Sequence, residues 1–182
     1  MDDDELTRLA FRAARGEAAA AEALVAATRG QLHRMLTYLA DPRVAEDLVQ
    51  ETYLRAFAAL PKFAGHSPAR AWLAAIARNV AADHLRTRKR RPPPVLLGDA
   101  SVADIVTTPD HGRTVVLRQL IAELDPERRE AFVLTQVIGL PYADVARICD
   151  CPVGTIRSRV FRARDDLTRA LAERDDPRVN EA

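Results

Sequence analysis

Three consecutive prolines, Pro92 to Pro94, interrupt a chain of 182 residues that has helical patterning on both sides of them. Each proline lacks an amide donor and pushes the residue before it out of the α region, so no helix continues through them. Because an irregular run of about twenty residues is unusual inside one compact domain, we interpret the stretch as a linker between two domains. The predicted units are a domain at 1–91, a linker at 92–112, a domain at 113–175 and a tail at 176–182.

The composition on both sides of the prolines favours helices. The chain is rich in alanine, leucine and arginine and only 5% aromatic, which suits helices better than strands. We therefore predict an all-α fold of two small helical domains, an N-terminal helical bundle and a C-terminal helix-turn-helix domain, joined by a flexible linker.

Neither the first residues of the chain nor its apolar segments indicate export or a membrane. No apolar run approaches the roughly 20 residues that cross a bilayer. The start from Met1 to Glu5 is acidic, where a secretory or transit signal would be basic. We expect a cytoplasmic protein without membrane insertion.

The formal net charge of +1 conceals two basic islands. Residues 67–91 carry a net charge of +6 and residues 155–164 a net charge of +4, while the segments between and after them are acidic or neutral. Clustered positive charge on an otherwise balanced chain is typical of surfaces that face nucleic acid.

The third predicted helix of the N-terminal domain, residues 44–60, has two distinct faces. Apolar residues three and four positions apart, Phe57 among them, form a stripe that we expect to face the core. The opposite face carries an acidic and amide row that ends in a leucine: Asp47, Gln50, Glu51 and Leu54. Solvated surface and a docking face for another protein both remain open interpretations of this row.

The fourth predicted helix begins near Ser67 and Pro68, a favourable pair for the N-cap and the first turn. Aromatic and basic residues on this helix and in the loop before it are typical of a platform for unpaired bases, although a charge run can also be only solvated. The candidate contacts to single-stranded DNA are Phe63, Arg70, Trp72, Arg78, Asn79, Asp83 and Arg86. The helix runs into a basic segment suited to phosphates of any sequence: Arg88, Lys89, Arg90 and Arg91.

The C-terminal domain has the outline of a helix-turn-helix, because its last two helices are joined by a short turn and the second is basic. The predicted helices are 114–124, 126–137, 142–149 and 152–172. We expect the first helix of the pair to be packed by Ala143, Val145, Ala146 and Ile148. The second should be seated by Val153, Ile156 and Val160. Arginine can donate two parallel hydrogen bonds to guanine, and a phenylalanine can contact a thymine methyl; the alternative is an amphipathic helix with a merely basic exterior. The residues left toward solvent or DNA are Thr155, Arg157, Ser158, Arg159, Phe161, Arg162 and Arg164.

Four segments of the chain together resemble the extracytoplasmic-function (ECF) group of bacterial sigma factors. Residues 151–164 resemble the recognition helix of the family's helix-turn-helix, and residues 139–146 resemble the family's entry into the same motif. Residues 45–56 resemble its polymerase-binding helix, and residues 71–86 its promoter-melting helix. The motifs stand in the family's order and span nearly the whole chain.

The resemblance implies roles for these segments. The row from Asp47 to Leu54 would dock on the β′ clamp helices of core RNA polymerase, whose β subunit is a further expected contact. The segment from Phe63 to Arg86 would capture an extruded base of the promoter −10 element and hold the unpaired strand. Four residues of the last helix would read the −35 duplex in the major groove: Arg157, Ser158, Phe161 and Arg162. Family members are commonly held inactive by an anti-sigma factor, which is therefore a candidate partner.

Two departures from the family pattern concern promoter contacts. Thr135 stands where many members carry a basic residue near the −35 backbone, and Pro141 replaces a common serine cap.

No catalytic residue, metal or cofactor is expected. Cys149 and Cys151 are separated by one residue, a tighter spacing than in zinc knuckles, and buried or capping cysteines are the favoured interpretation. His84 beside Asp83 lacks a third ligand or a nucleophile at suitable spacing.

We conclude from the sequence that the chain is a promoter-specificity subunit that directs RNA polymerase. Two alternatives stay open: a free-standing helix-turn-helix regulator, which has no use for a docking helix and a melting helix, and a helical adaptor that binds no DNA.

Overall fold

The computed structural model describes residues 1–90 and 111–175, which form an all-α fold and contain no strand. Arg91, most of the predicted linker and the predicted tail lie outside these residues. The helices are α1 (Asp3–Ala14), α2 (Ala18–Leu39), α3 (Ala45–Ala59), α4 (Ala69–Arg90), α5 (His111–Glu123), α6 (Pro126–Phe132), α7 (Tyr142–Ile148) and α8 (Val153–Asp175). A 3₁₀ turn, Leu60–Lys62, follows α3, and a π-helical turn, Val133–Val137, follows α6.

The N-terminal bundle is built from α1 to α4, which pack around large apolar side chains. The Asp2 carboxylate caps α1 by accepting a hydrogen bond from the Glu5 amide at 2.7 Å, and Gly16 ends this helix segment with a φ of 87° that favours glycine. The most deeply buried side chains of the bundle include Leu6, Met35, Leu36, Val49 and Leu73. This core fixes which faces of α3 and α4 are turned outward.

One residue of the predicted α3 stripe does not join the core. Phe57 is exposed and lies beside Tyr53, with 6.2 Å between the ring centroids. Tyr53 in turn places its hydroxyl 2.8 Å from Thr28 Oγ1 on α2, which satisfies a polar group inside the bundle. The apolar stripe of α3 is therefore wider than the part of α3 that α2 and α4 cover.

The C-terminal domain packs α5 to α8 around Ile121, Leu134, Val145 and Ile156. The helix predicted at 126–137 instead changes to π-helical pairing, in which the Ile138 amide donates to the Val133 carbonyl at 3.0 Å. No local residue type in this stretch indicates such a change, so it could not be predicted from the sequence.

The helix-turn-helix pair is α7 and α8. Asp150 occupies the left-handed region in the turn between them, with a φ of 49° that aspartate tolerates better than most residues. The prediction that Ala143 packs α7 is wrong, because Ala143 is exposed and the neighbouring Asp144 is buried, where it pairs with Arg147. Ile156 and Val160 seat α8 as expected.

Within the described parts of the chain, no helix combines the length and the apolar character needed to cross a membrane.

Candidate nucleic-acid interfaces

The outward face of α3 has the character of a protein-binding surface rather than of a basic, nucleic-acid-binding one. Asp47 and Gln50 are exposed, and Leu54 is 68% exposed, whereas Leu48 and Val49 of the same helix are buried. A single exposed leucine is ordinary, but one flanked by acidic and amide groups on a rigid helix gives a small apolar centre with a polar rim. Such a surface suits a protein partner and repels phosphates.

An ion-pair network joins the edge of this face to α4. Arg55 donates from Nε to Glu51 and from Nη1 to Asp83, both at 2.7 Å, and Arg86 also donates to Asp83. The hydrogen bonds from Arg55 and Arg86 lower the pKa of the Asp83 carboxyl. Asp83, a predicted DNA contact, thus holds two arginines in place here and offers no unpaired carboxylate to a nucleic acid.

The exposed end of α4 is strongly basic. Arg86, Arg88, Lys89 and Arg90 are exposed, and three of them lie in the last turn, where positive charge is favoured by the helix dipole. Asn79 is exposed nearer the middle of the helix. Arg86 pairs with Asp83 and Arg88 lies 3.6 Å from Asp41, so these two side chains would have to leave a carboxylate to bind a phosphate.

Two predicted DNA contacts of α4 are engaged with protein groups. Arg78 donates from Nε and Nη2 to the two carboxylate oxygens of Glu130 on α6, at 2.5 and 3.3 Å. This bidentate bond raises the pKa of Arg78. Arg70 lies 2.7 Å from Asp3 on α1.

The loop before α4, residues 63–68, rests on an aromatic cluster. Phe63 is only 8% exposed, because its ring lies between Phe11, at 5.2 Å, and Trp72, at 5.0 Å between centroids. Phe63, a predicted DNA contact, is therefore buried beneath the loop in this structure, and the exposed residues of the loop are Ala64, Gly65 and His66. Phe11 was not among the residues predicted from the sequence, since nothing in the local pattern of α1 links it to a loop fifty residues away.

The C-terminal domain contacts the same region of the bundle. Arg147 of α7 donates to the His66 carbonyl at 3.2 Å, and Gln31 of α2 donates to the Ile138 carbonyl at 2.9 Å. Together with the pair between Arg78 and Glu130, these bonds place α6 and α7 over part of the candidate single-strand surface. The sequence patterns do not predict this contact.

Cys149 lies at this domain contact as the residue that caps the C-terminus of α7, one of the two roles expected for it. Its Sγ lies 3.6 Å from Glu130, and burial raises the pKa of the thiol to about 12. Cys151 lies 3.7 Å from Arg159. Among the described residues, no three histidine, cysteine, aspartate or glutamate side chains form a cluster that could hold a metal ion.

The outward face of α8 is basic and has an apolar centre. Ile156, Val160 and Ala163 are buried, which turns Arg157, Ser158 and Arg162 outward around Phe161. Phe161 is 73% exposed, so its ring is available to a partner.

Three other predicted DNA contacts on α8 are partly engaged. Arg159 is half-buried and pairs with Glu127 of α6, and Arg164 donates to Gln136. Thr155 is half-buried, and its backbone carbonyl accepts a hydrogen bond at 2.9 Å from Ser158 Oγ, so the Ser158 hydroxyl is also engaged within the helix. Thr135, which stands at a departure from the family pattern, is buried and donates to the Ala131 carbonyl.

Both halves of the chain match known protein families. Residues 24–91 match sigma-70 region 2, and residues 114–167 match sigma-70 region 4. The chain is 48% identical over 183 residues to the ECF RNA polymerase sigma factor SigC of Mycobacterium tuberculosis, in a match that covers 96% of this chain and 95% of that protein. It is 34% identical over 186 residues to the RNA polymerase sigma-H factor of Pseudomonas aeruginosa, with 94% and 96% covered.

Two solved structures have similar folds. One is CnrH in complex with the cytosolic domain of CnrY, with a TM-score of 0.74 and 27% identity over 96% of this chain and 100% of that one. The other is the sigma factor RpoE from Bartonella quintana in complex with the anti-sigma factor NepR, with a TM-score of 0.66 and 29% identity over 83% and 96%. The chain therefore belongs to the extracytoplasmic-function group of the sigma-70 family of RNA polymerase sigma factors.

Proposed function

We propose that this protein binds core RNA polymerase through α3, opens promoters with α4 and the loop before it, and recognises the −35 duplex with α8. The observation that carries the proposal is the outward face of α8. Arg157, Phe161 and Arg162 are exposed on this face, while the opposite face of the helix is buried. Arginine pairs in the major groove specify guanine, and an exposed phenylalanine beside them suits a thymine methyl.

The two other surfaces supply the functions that a free-standing DNA-binding protein would not need. The acidic and amide face of α3 fits a protein partner, for which we propose the β′ clamp helices, with the β subunit as a further contact. The basic end of α4 suits the backbone of an unpaired strand. We propose a division of labour between residues 1–91 and 113–175, linked by 92–112.

The protein supplies specificity, and the polymerase supplies the chemistry. We assign it no catalytic residue and no cofactor, and we place it in the cytoplasm, where RNA polymerase works. The complex of the Bartonella quintana sigma factor with the anti-sigma factor NepR supports an anti-sigma factor as a partner here too.

Reconstitution with core polymerase tests this function. Mapping RNA 5′ ends after induced expression identifies the promoters, and purified protein plus core polymerase should start transcripts at the same positions. Core polymerase alone and protein alone are the controls. Tight binding of duplex promoter DNA by the protein alone, without any start in the reconstituted system, would instead identify a free-standing helix-turn-helix regulator.

A further inference from the structure

None of the functions proposed for α3, α4 and α8 involves helix α1. It lies outside residues 24–91, the segment that matches sigma-70 region 2, and its sequence shows only an amphipathic pattern. In the structure, however, α1 contacts the loop 63–68 and the first turn of α4 at three separate points. These contacts concern the loop to which we assign capture of an extruded −10 base.

The first two contacts fix the start of α4. The Ala69 amide, at the first position of α4, donates to Thr7 Oγ1 on α1 at 3.0 Å. At this amide, Thr7 of α1 accepts the hydrogen bond that Ser67 was expected to accept as the N-cap of α4. Asp3 lies 2.7 Å from Arg70 Nε, and Arg70 also donates to the Met1 carbonyl at 3.3 Å. The first turn of α4 is therefore attached to α1 by one hydrogen bond and one ion pair, and to Met1 just before α1 by a second hydrogen bond.

The third contact shapes the loop itself. Phe11 is 36% exposed and covers Phe63, and its ring also fills the space in front of Gly65. A Cβ atom on Gly65 would lie 2.6 Å from Phe11 Cζ, far closer than van der Waals contact allows. Gly65 has a φ of 72°, which also favours glycine. The Phe11 ring thus occupies the space that a side chain at position 65 would need, and glycine leaves that space free.

We propose that Phe11 is a positioning residue for −10 recognition: its ring holds the loop 63–68 in the shape that selects the extruded base. The inference rests on the proposed function of this loop. Extruding a base costs a few kcal/mol, and a loop that is already ordered adds no further entropic cost when the base arrives. Phe11 has no need to contact DNA for this role.

The test compares Phe11→Ala and Phe11→Leu in holoenzyme reconstituted from core polymerase and the full chain. Promoter opening is measured by permanganate reactivity on a promoter set in which each −10 and −35 base is replaced singly. Loss of an aromatic pair should lower opening by about twofold to tenfold. Discrimination among −10 bases should weaken, discrimination among −35 bases should stay unchanged, and Phe11→Leu should restore much of the −10 discrimination.

Leu171→Ala is the matched control. Leu171 is 40% exposed and lies near the end of α8, in the C-terminal domain. The substitution removes a similar amount of exposed apolar side chain and should leave discrimination among −10 bases unchanged. A general loss of stability would affect both −10 and −35 discrimination, so the two readouts separate positioning from unfolding.

Gly65→Ala gives a second route if Phe11→Ala folds poorly. The added methyl should displace either the ring or the loop and weaken −10 discrimination. Gly16→Ala is its control, because Gly16 has a φ of 87° but no atom within 4 Å of the added carbon. Gly65→Ala should reduce discrimination among −10 bases less in the Phe11→Ala variant than in the wild type. The variant lacks the ring that would clash with the added methyl group.

Two outcomes separate the positioning role of Phe11 from the function of the loop. If the wild-type holoenzyme does not discriminate among −10 bases, the function assigned to the loop is wrong. If the wild type discriminates and both Phe11→Ala and Gly65→Ala discriminate equally well, only the positioning role of Phe11 is overturned.

Discussion

The arginines of α8 differ in whether they are engaged within the protein. Among the described residues, Arg157 and Arg162 form no ion pair, whereas Arg159 pairs with Glu127 and Arg169 pairs with Asp165. An arginine without an acidic partner can bind a guanine without first breaking an ion pair. We therefore assign base reading to Arg157 and Arg162 and a supporting role to Arg159.

Replacing Arg157 and Arg162 together by alanine should reduce transcription from a cognate promoter and relax its −35 requirement. Each bidentate pair with a base contributes about 1–3 kcal/mol of discrimination. In vitro transcription from promoters with single −35 substitutions measures the effect. Arg169→Ala removes one arginine from the same helix and is the control. Retention of full −35 discrimination by the double variant would contradict the assignment.

The two thiols should differ in reactivity. Burial raises the pKa of Cys149 to about 12, so at pH 8 almost none of it is thiolate, and the thiolate is the reactive form. We expect iodoacetamide to modify Cys151 first in the folded protein. Raising the pH toward 10 should leave Cys149 protected as long as the fold persists, and denaturation should make the two rates similar. Mass spectrometry of timed samples measures both, and faster labelling of Cys149 would contradict the burial argument.

Helices α3 and α4 are joined into one unit, and we propose that each of them binds a different partner. The network through Arg55 and Asp83 connects the helices at the surface, and their apolar faces share the bundle core. The acidic face of α3 and the basic end of α4 are therefore held in fixed relation. A helix pair of this kind can place single-stranded DNA at a defined position relative to the polymerase.

Asp47→Lys combined with Gln50→Ala should weaken binding to core polymerase by about tenfold or more, because reversing a charge at an interface places like charges together. Fluorescence anisotropy with labelled protein measures the affinity. Glu22→Lys makes the same charge change at an exposed position of α2 and serves as control. Equal affinities of the wild type and the double variant would reject α3 as the docking helix.

At the scale of the whole molecule, the C-terminal domain covers part of the surface that should meet the unpaired strand. Arg78 is bound to Glu130, and the His66 carbonyl is bound to Arg147. Arg78 and Glu130 are both more than half-buried at the domain contact. These bonds must break before Arg78 can contact DNA, so binding of the −10 strand competes with the domain contact.

Glu130→Gln should raise the affinity of the isolated chain for a single-stranded −10 oligonucleotide. The expected gain is about fivefold, or about 1 kcal/mol, which is typical of one partly exposed ion pair. Glu123→Gln is the control, because it removes the same charge from an exposed pair with Arg174. Fluorescence anisotropy at fixed salt measures both. Equal gains in the two variants would indicate a general charge effect and contradict a specific competition.

The all-α fold, the bounds of most helices and the outward faces of α3 and α8 follow from local sequence patterns, because periodic apolar residues and helix-ending prolines and glycines act over a few residues. These patterns did not indicate the change to π-helical pairing after α6, the exposure of Phe57 and Ala143, or the protein partners of Arg70, Arg78 and Asp83. These features depend on how segments distant in the chain pack together, so they emerge only from the folded structure. Phe11 shows the same limit: its ring meets Gly65 because the bundle brings α1 to that loop. Local patterns specify which side chains a helix can present, and packing decides which of them remain free.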